Sequence, residues 1–142
     1  MAEKKYKAED LIRYATALLD KTGLDPEKSE VVAQILVEGD LLGHDTHGLQ
    51  LLAPYLSDLN TGGMTRSGSP RVIADFPAAV TWDGMRLPGV WLTSTAIDLA
   101  LERAKNLGTC TVVIRRSHHI ACLAAYLKRV TDQGMMVLLI SS

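Results

Sequence analysis

Apolar residues recur at helical spacing through the first sixty positions, then give way to short runs rich in β-branched residues. Leu11, Ala15, Leu18 and Leu19 share one face over 8–22, and Gly23 stops that helix. Asp25-Pro26-Glu27 opens a second helix as cap, first-turn proline and first-turn acid. Val32, Ile35 and Leu36 line its inner face, and it runs to about Leu42, before Gly43. A third helix is predicted over 46–59, bent near Pro54 and broken by Thr61-Gly62-Gly63. Residues 71–75 and 79–82 read as strands joined by Phe76-Pro77, with a turn at Asp83-Gly84. Over 90–107 Leu92, Ala96, Leu99 and Ala100 make the inner face of a helix that Gly108 closes. Thr109 to Ile114 reads as a strand, about 119–132 as a helix closed by Gly134, and Met135 to Ile140 as a strand apolar on both faces.

This order predicts an α/β protein. Residues 1–63 form an N-terminal helical segment, and residues 64–142 form an incomplete portion of helix–strand units belonging to a mixed sheet. The last two strands, each preceded by a helix, are expected to run parallel. The apolar run of 135–140 calls for neighbours, so a missing or separate companion C-terminal chain is expected to complete the sheet, and a homo-oligomer is expected over a lone monomer.

Composition narrows the function classes. The chain has 142 residues, 47% hydrophobic and 22% charged, with 15 basic against 16 acidic residues and a formal charge of -1. That balance gives no electrostatic reason to expect nucleic acid or an anionic membrane as partner. No apolar run spans a bilayer, and Met1-Ala2-Glu3-Lys4-Lys5-Tyr6-Lys7 lacks a following signal core. Two cysteines, Cys110 and Cys122, make no disulfide framework, so a cytoplasmic setting is expected.

The chemistry concentrates in histidine. All four fall in two clusters, His44/His47 and His118/His119, which only the fold can bring together. Histidine has the side-chain pKa nearest neutrality, suited to proton transfer and metal binding. Gly43-His44-Asp45-Thr46-His47-Gly48 sits at a helix start and admits three readings. One histidine is a general acid/base with Asp45 or Thr46 orienting a ring; or the pair joins a later histidine on a metal; or these are capping and loop residues. The spacing lacks a metalloprotease glutamate and cysteine ligands, so no metal is expected. Arg115-Arg116-Ser117-His118-His119 follows a strand and precedes a helix, where open α/β sheets place functional groups. The two arginines read as phosphate contacts or as solvated charges.

At these two motifs the chain resembles the malate/L-lactate dehydrogenase family that lacks a Rossmann domain. That family includes ureidoglycolate, sulfolactate and diketogulonate oxidoreductases and cyclic-imine reductases. Gly43-His44-Asp45-Thr46-His47-Gly48 is similar to its "GHDSHG" motif, and Ser117-His118-His119 lies where it has "SNHFG". Asp25-Pro26, Asn60-Thr61-Gly62-Gly63 and the strand entry at Gly108 match in order. The resemblance covers this chain but only the first part of a longer family chain. It implies hydride transfer between NAD or NADP and a small molecule, a 2-hydroxy acid/2-oxo acid pair or a cyclic imine. It implies that His47 is the proton donor and His119 the second catalytic histidine. His44, Thr46 and His118 are implied to bind substrate, and Ser117, His119, Ser141 and Ser142 to bind cofactor.

Departures cluster at the same places. Leu51 stands where the family has a carboxylate-gripping arginine, His118 replaces an asparagine, Ala121 and Ala124 replace glycines, and Ser142 replaces an asparagine. An alternative therefore stands beside the dehydrogenase: a processed two-chain member of the fold acting as a hydrolase, with its nucleophile at the start of the companion chain. A third is a non-catalytic interaction domain with structural histidines.

Overall fold

The computed structural model describes residues 5–141. Helices α1 (Ala8–Lys21) and α2 (Pro26–Leu41) pack against each other, both ending within two residues of a glycine in the left-handed region. Asp25 occupies the cap position of α2 with Pro26 following. Its carboxylate, however, takes the Lys28 ammonium at 2.7 Å instead of a backbone N–H. Lys28 is buried, and its Nζ lies 4.2 Å from the centre of the Trp91 ring, so one side chain ties the start of α2 to the helix that carries Trp91.

The helix predicted over 46–59 is divided. Asp45–His47 and Leu49–Leu51 are single 3-10 turns, and α3 covers Leu52–Thr61. Pro54 falls in the first turn of α3, where its missing N–H costs no intrahelical bond, so it starts a helix instead of bending one.

Strands β1 (Arg71–Phe76) and β2 (Ala79–Asp83) form an antiparallel hairpin, with a register irregularity between Val72 and Ala74. Helix α4 (Gly89–Leu107) then crosses over to β3 (Thr111–Arg115), which lies parallel to β2. The sheet is mixed, in the order β1-β2-β3. The parallel pair is thus β2 with β3, not the last two predicted strands. Residues 135–140 join no ladder within 5–141. They are not buried on both faces either: Met135, Val137 and Leu139 pack inward, while Met136, Leu138 and Ile140 are 95%, 82% and 77% exposed. The continuous apolar run therefore resolves into an alternation of period two.

The helix predicted over 119–132 is also cut back. Residues 119–122 are irregular, Leu123–Tyr126 makes a 3-10 turn, and α5 covers only Leu127–Thr131. Ala121 lies at φ +57°, which no helix accepts, and the Tyr126 hydroxyl bonds the Ile120 carbonyl at 2.6 Å across the gap.

The largest core joins Ala15, Leu19, Val32, Leu36, Tyr55 and Leu59 to Val90 and Ala121. Each large apolar side chain there contributes roughly 2 kcal/mol of burial. This core therefore seats α4 and the His118–His119 segment directly on the helices that hold the other histidine motif. Within 5–141 no helix is long and apolar enough to cross a membrane.

Candidate functional site

The loop carrying His44 and His47 is pinned from beneath by Asp40 at the end of α2. Asp40 Oδ2 accepts the Leu49 N–H at 3.0 Å. Gly48 lies so close that a Cβ on it would sit 1.9 Å from Asp40 Oδ1, so only glycine lets the loop close over that carboxylate. The His44 N–H bonds the Gly39 carbonyl at 2.9 Å, and the His47 N–H bonds the His44 carbonyl at 2.8 Å. His44 thereby serves the turn through its backbone, while its ring is exposed. The Thr46 hydroxyl stands 3.0 Å from His47 Nδ1, the orienting contact that one sequence reading anticipated.

The second histidine pair is held by distant parts of the chain. The Tyr55 hydroxyl lies 2.9 Å from His119 Nδ1 and 3.3 Å from the His119 carbonyl oxygen. The Ala121 N–H donates to the same Nδ1 at 3.2 Å. His118 Nε2 meets Asp58 Oδ2 at 3.0 Å, and its ring stands edge-on to Tyr55 with centroids 5.3 Å apart. His118 Nδ1 is buried without a hydrogen-bond partner. A Cβ on Gly89 would fall 2.0 Å from the His118 carbonyl oxygen and 2.6 Å from that of His119. The start of α4 thus presses directly on the backbone of both histidines. Ser117 donates its hydroxyl to the His118 carbonyl at 2.8 Å.

The fold unites the two motifs. The rings of His47 and His119 stack with centroids 5.7 Å apart and planes 28° apart. Burial lowers the His119 pKa from the ordinary histidine value, and His47 and His118 lower it further by repulsion of like charge. Burial, then the nearby Asp58 carboxylate, raises the Tyr55 pKa, so its hydroxyl keeps its proton across the ordinary working range. Beside the stack an open groove runs past His44 and His47 along Ala121, Cys122, Leu123, Ala124 and Leu127. Its walls beyond the histidines are apolar. Within 5–141 no group of three His, Cys, Asp or Glu side chains is placed to hold a metal ion.

Ser141 lies exposed at the end of the 135–140 segment, apart from these contacts, and Ser142 lies outside the described residues. Arg115 and Arg116, each more than half exposed, share a carboxylate partner that the sequence reading did not foresee. Arg116 Nε bonds Asp83 Oδ1 at 2.8 Å, Arg115 Nη2 meets Oδ2 at 3.2 Å, and Arg71 Nη2 meets Oδ2 at 3.5 Å. The Asp83 side chain is fully buried, and its pKa falls to about 2, chiefly through the Arg116 hydrogen bond. This clamp ties the ends of the strands below His118. Register could have signalled it, since Asp83 pairs with Arg71 on one side and Arg115 on the other. Tyr55, Asp58 and Gly89 were not singled out from sequence, and no local pattern marks them.

The comparisons agree with the geometry. The family model "Malate/L-lactate dehydrogenase" matches residues 6–142. The malate dehydrogenase of Pyrococcus horikoshii is 31% identical, over 96% of this chain and 40% of its own. The L-sulfolactate dehydrogenase of Methanocaldococcus jannaschii is 26% identical, over 88% of this chain and 36% of its own. The solved structure of malate dehydrogenase from Pyrococcus horikoshii OT3 superposes with a TM-score of 0.87 at 29% identity, over 95% of this chain and 41% of that one. The chain spans about 40% of the length of such relatives. A fold shared at that level, a model match over nearly the whole chain and two histidine motifs meeting ring to ring lead to one conclusion: this chain belongs to the malate/L-lactate dehydrogenase family.

Proposed function

We propose that this chain is the substrate-facing N-terminal portion of an NAD(P)-dependent oxidoreductase that interconverts a 2-hydroxy acid and a 2-oxo acid, or reduces a cyclic imine. The observation that carries this reading is the His47–His119 stack, which places two proton-carrying groups of separate motifs at one point. Names of relatives such as malate and L-sulfolactate dehydrogenase support the reaction class.

A nicotinamide fits the groove in one respect: its walls past His44 and His47 are apolar, as the face of a flat ring requires. The cofactor, when bound, supplies the hydride. The chain's own residues manage the proton and the oxygen. His47, oriented by Thr46, passes a proton to the developing alkoxide or takes it back in the reverse direction. His119, whose lowered pKa keeps it neutral near pH 7, holds the substrate oxygen by a hydrogen bond. His44 and His118 border the substrate, His118 through its neighbours. Ser117 has its proton engaged by a carbonyl and reaches a cofactor only as an acceptor.

The remainder of the family fold would then pair with residues 135–140 and supply the rest of the dinucleotide site. The test is a nicotinamide absorbance assay on the protein with that remainder present, across 2-oxo acids and cyclic imines. Turnover is expected, with His47→Ala and His119→Ala each lowering kcat by roughly a hundredfold or more. Absence of cofactor binding at millimolar concentration would overturn the proposal, as would full activity in both variants.

A further inference from the structure

Ala121 is a buried alanine at φ +57°, a conformation L side chains rarely adopt. Strain of this kind persists only where the surroundings impose it. Here it turns the Ala121 N–H back onto the ring of His119 two residues earlier, at 3.2 Å from Nδ1. A backbone amide can only donate. A proton on Nδ1 would set two donors face to face, so Nδ1 must present its lone pair.

Tyr55 acts on the same atom from α3. Its hydroxyl lies within reach of both Nδ1 and the His119 carbonyl, and both are acceptors once Nδ1 is bare. Tyr55 is almost wholly buried, so water does not compete for that proton. Its ring is braced edge-on by His118, which Asp58 anchors through Nε2. A neutral imidazole carries one proton, and with Nδ1 closed it must sit on Nε2, across the ring.

We propose that Tyr55 is a positioning residue which, with the left-handed backbone at Ala121, fixes neutral His119 as the Nε2–H tautomer. His119 then meets a substrate oxygen as a donor and cannot present Nε2 as a bare base. That division leaves His47 as the group that exchanges the proton. The role in turnover rests on the dehydrogenase reading; the tautomer does not.

The experiment is long-range proton–nitrogen NMR of the histidine rings in this chain, near neutral pH. His119 is expected to show a protonated Nε2 and an unprotonated Nδ1. In Tyr55→Phe, which keeps the buried ring and removes the hydroxyl, the tautomer ratio is expected to move roughly fivefold toward Nδ1–H. In Ala121→Gly, which keeps both the N–H and the φ, the ratio is expected to stay as in the parent. A parent His119 protonated on Nδ1 overturns the proposal before any variant is made. So does an unchanged ratio in Tyr55→Phe, or an equal shift in Ala121→Gly, which would make packing the cause. An inactive complete protein with the expected ring signals would defeat the dehydrogenase reading and leave the tautomer assignment standing.

Discussion

The two histidine motifs reach one site by opposite means. The His47 loop is a local object: its ring partner is the next residue back, and its carboxylate support comes from Asp40 at the end of the preceding helix. The His118–His119 segment owes its shape to residues some sixty positions away, Tyr55 and Asp58, and to Gly89 pressing on its backbone. One motif is a loop that could be read from its own letters. The other is a strained stretch held by the rest of the molecule. The difference teaches that a motif's chemistry and its support need not lie in the same piece of sequence.

Glycine-to-alanine exchanges test that contrast most severely. In Gly89→Ala the new methyl meets two carbonyl oxygens of a backbone with no room to retreat. A loss of about 3 kcal/mol in denaturant unfolding is expected, with broadening of the His119 signals. In Gly48→Ala the methyl meets mainly the Asp40 carboxylate, which can swing aside and give up its bond to Leu49. A loss of about 1 kcal/mol is expected there. Equal costs for the two would erase the distinction between a local and a distant support.

The opposite sign is expected at Ala121. Exchange for glycine removes the Cβ that resists φ +57°, so Ala121→Gly should raise stability by about 1 kcal/mol, read as a higher denaturation midpoint. A lower midpoint would mean that the buried methyl contributes more through packing than the backbone loses through strain.

The smallest effect is a pH dependence. The folded chain holds His119 below the ordinary histidine value, so the unfolded chain takes up its proton first as pH falls. The stability due to neutral His119 is present above about pH 6.5 and is lost as pH drops from there toward the lowered folded value. Unfolding midpoints between pH 7.5 and 5.5 should therefore fall more steeply for the parent than for His119→Ala. Parallel profiles would show that His119 is not desolvated in solution.

Sequence carried the helices well where amphipathic spacing and a stop glycine agreed, as in α1, α2 and α4, each within two residues of its observed bounds. It failed over 119–132 because the backbone at Ala121 is turned by a bond to a histidine ring, which no helical periodicity records. It failed over 135–140 because an uninterrupted apolar run does not say how many of its faces have neighbours. At the site, the four histidines stood out by clustering alone. Tyr55 did not, since its spacing is that of any inward residue of α3, and only the fold brings its hydroxyl to His119. Arg115 and Arg116 were ambiguous for the same reason: their common partner, Asp83, is adjacent only across the sheet.

The segment 135–140 has one more consequence. Its outward residues Met136, Leu138 and Ile140 lie beside backbone that no neighbouring strand occupies within 5–141. An exposed, uncharged apolar run is the kind of surface on which identical chains stack. During synthesis these residues leave the ribosome before anything encoded after them can cover them. A cover over this run, whether a partner strand or a chaperone, would then protect the yield of folded protein.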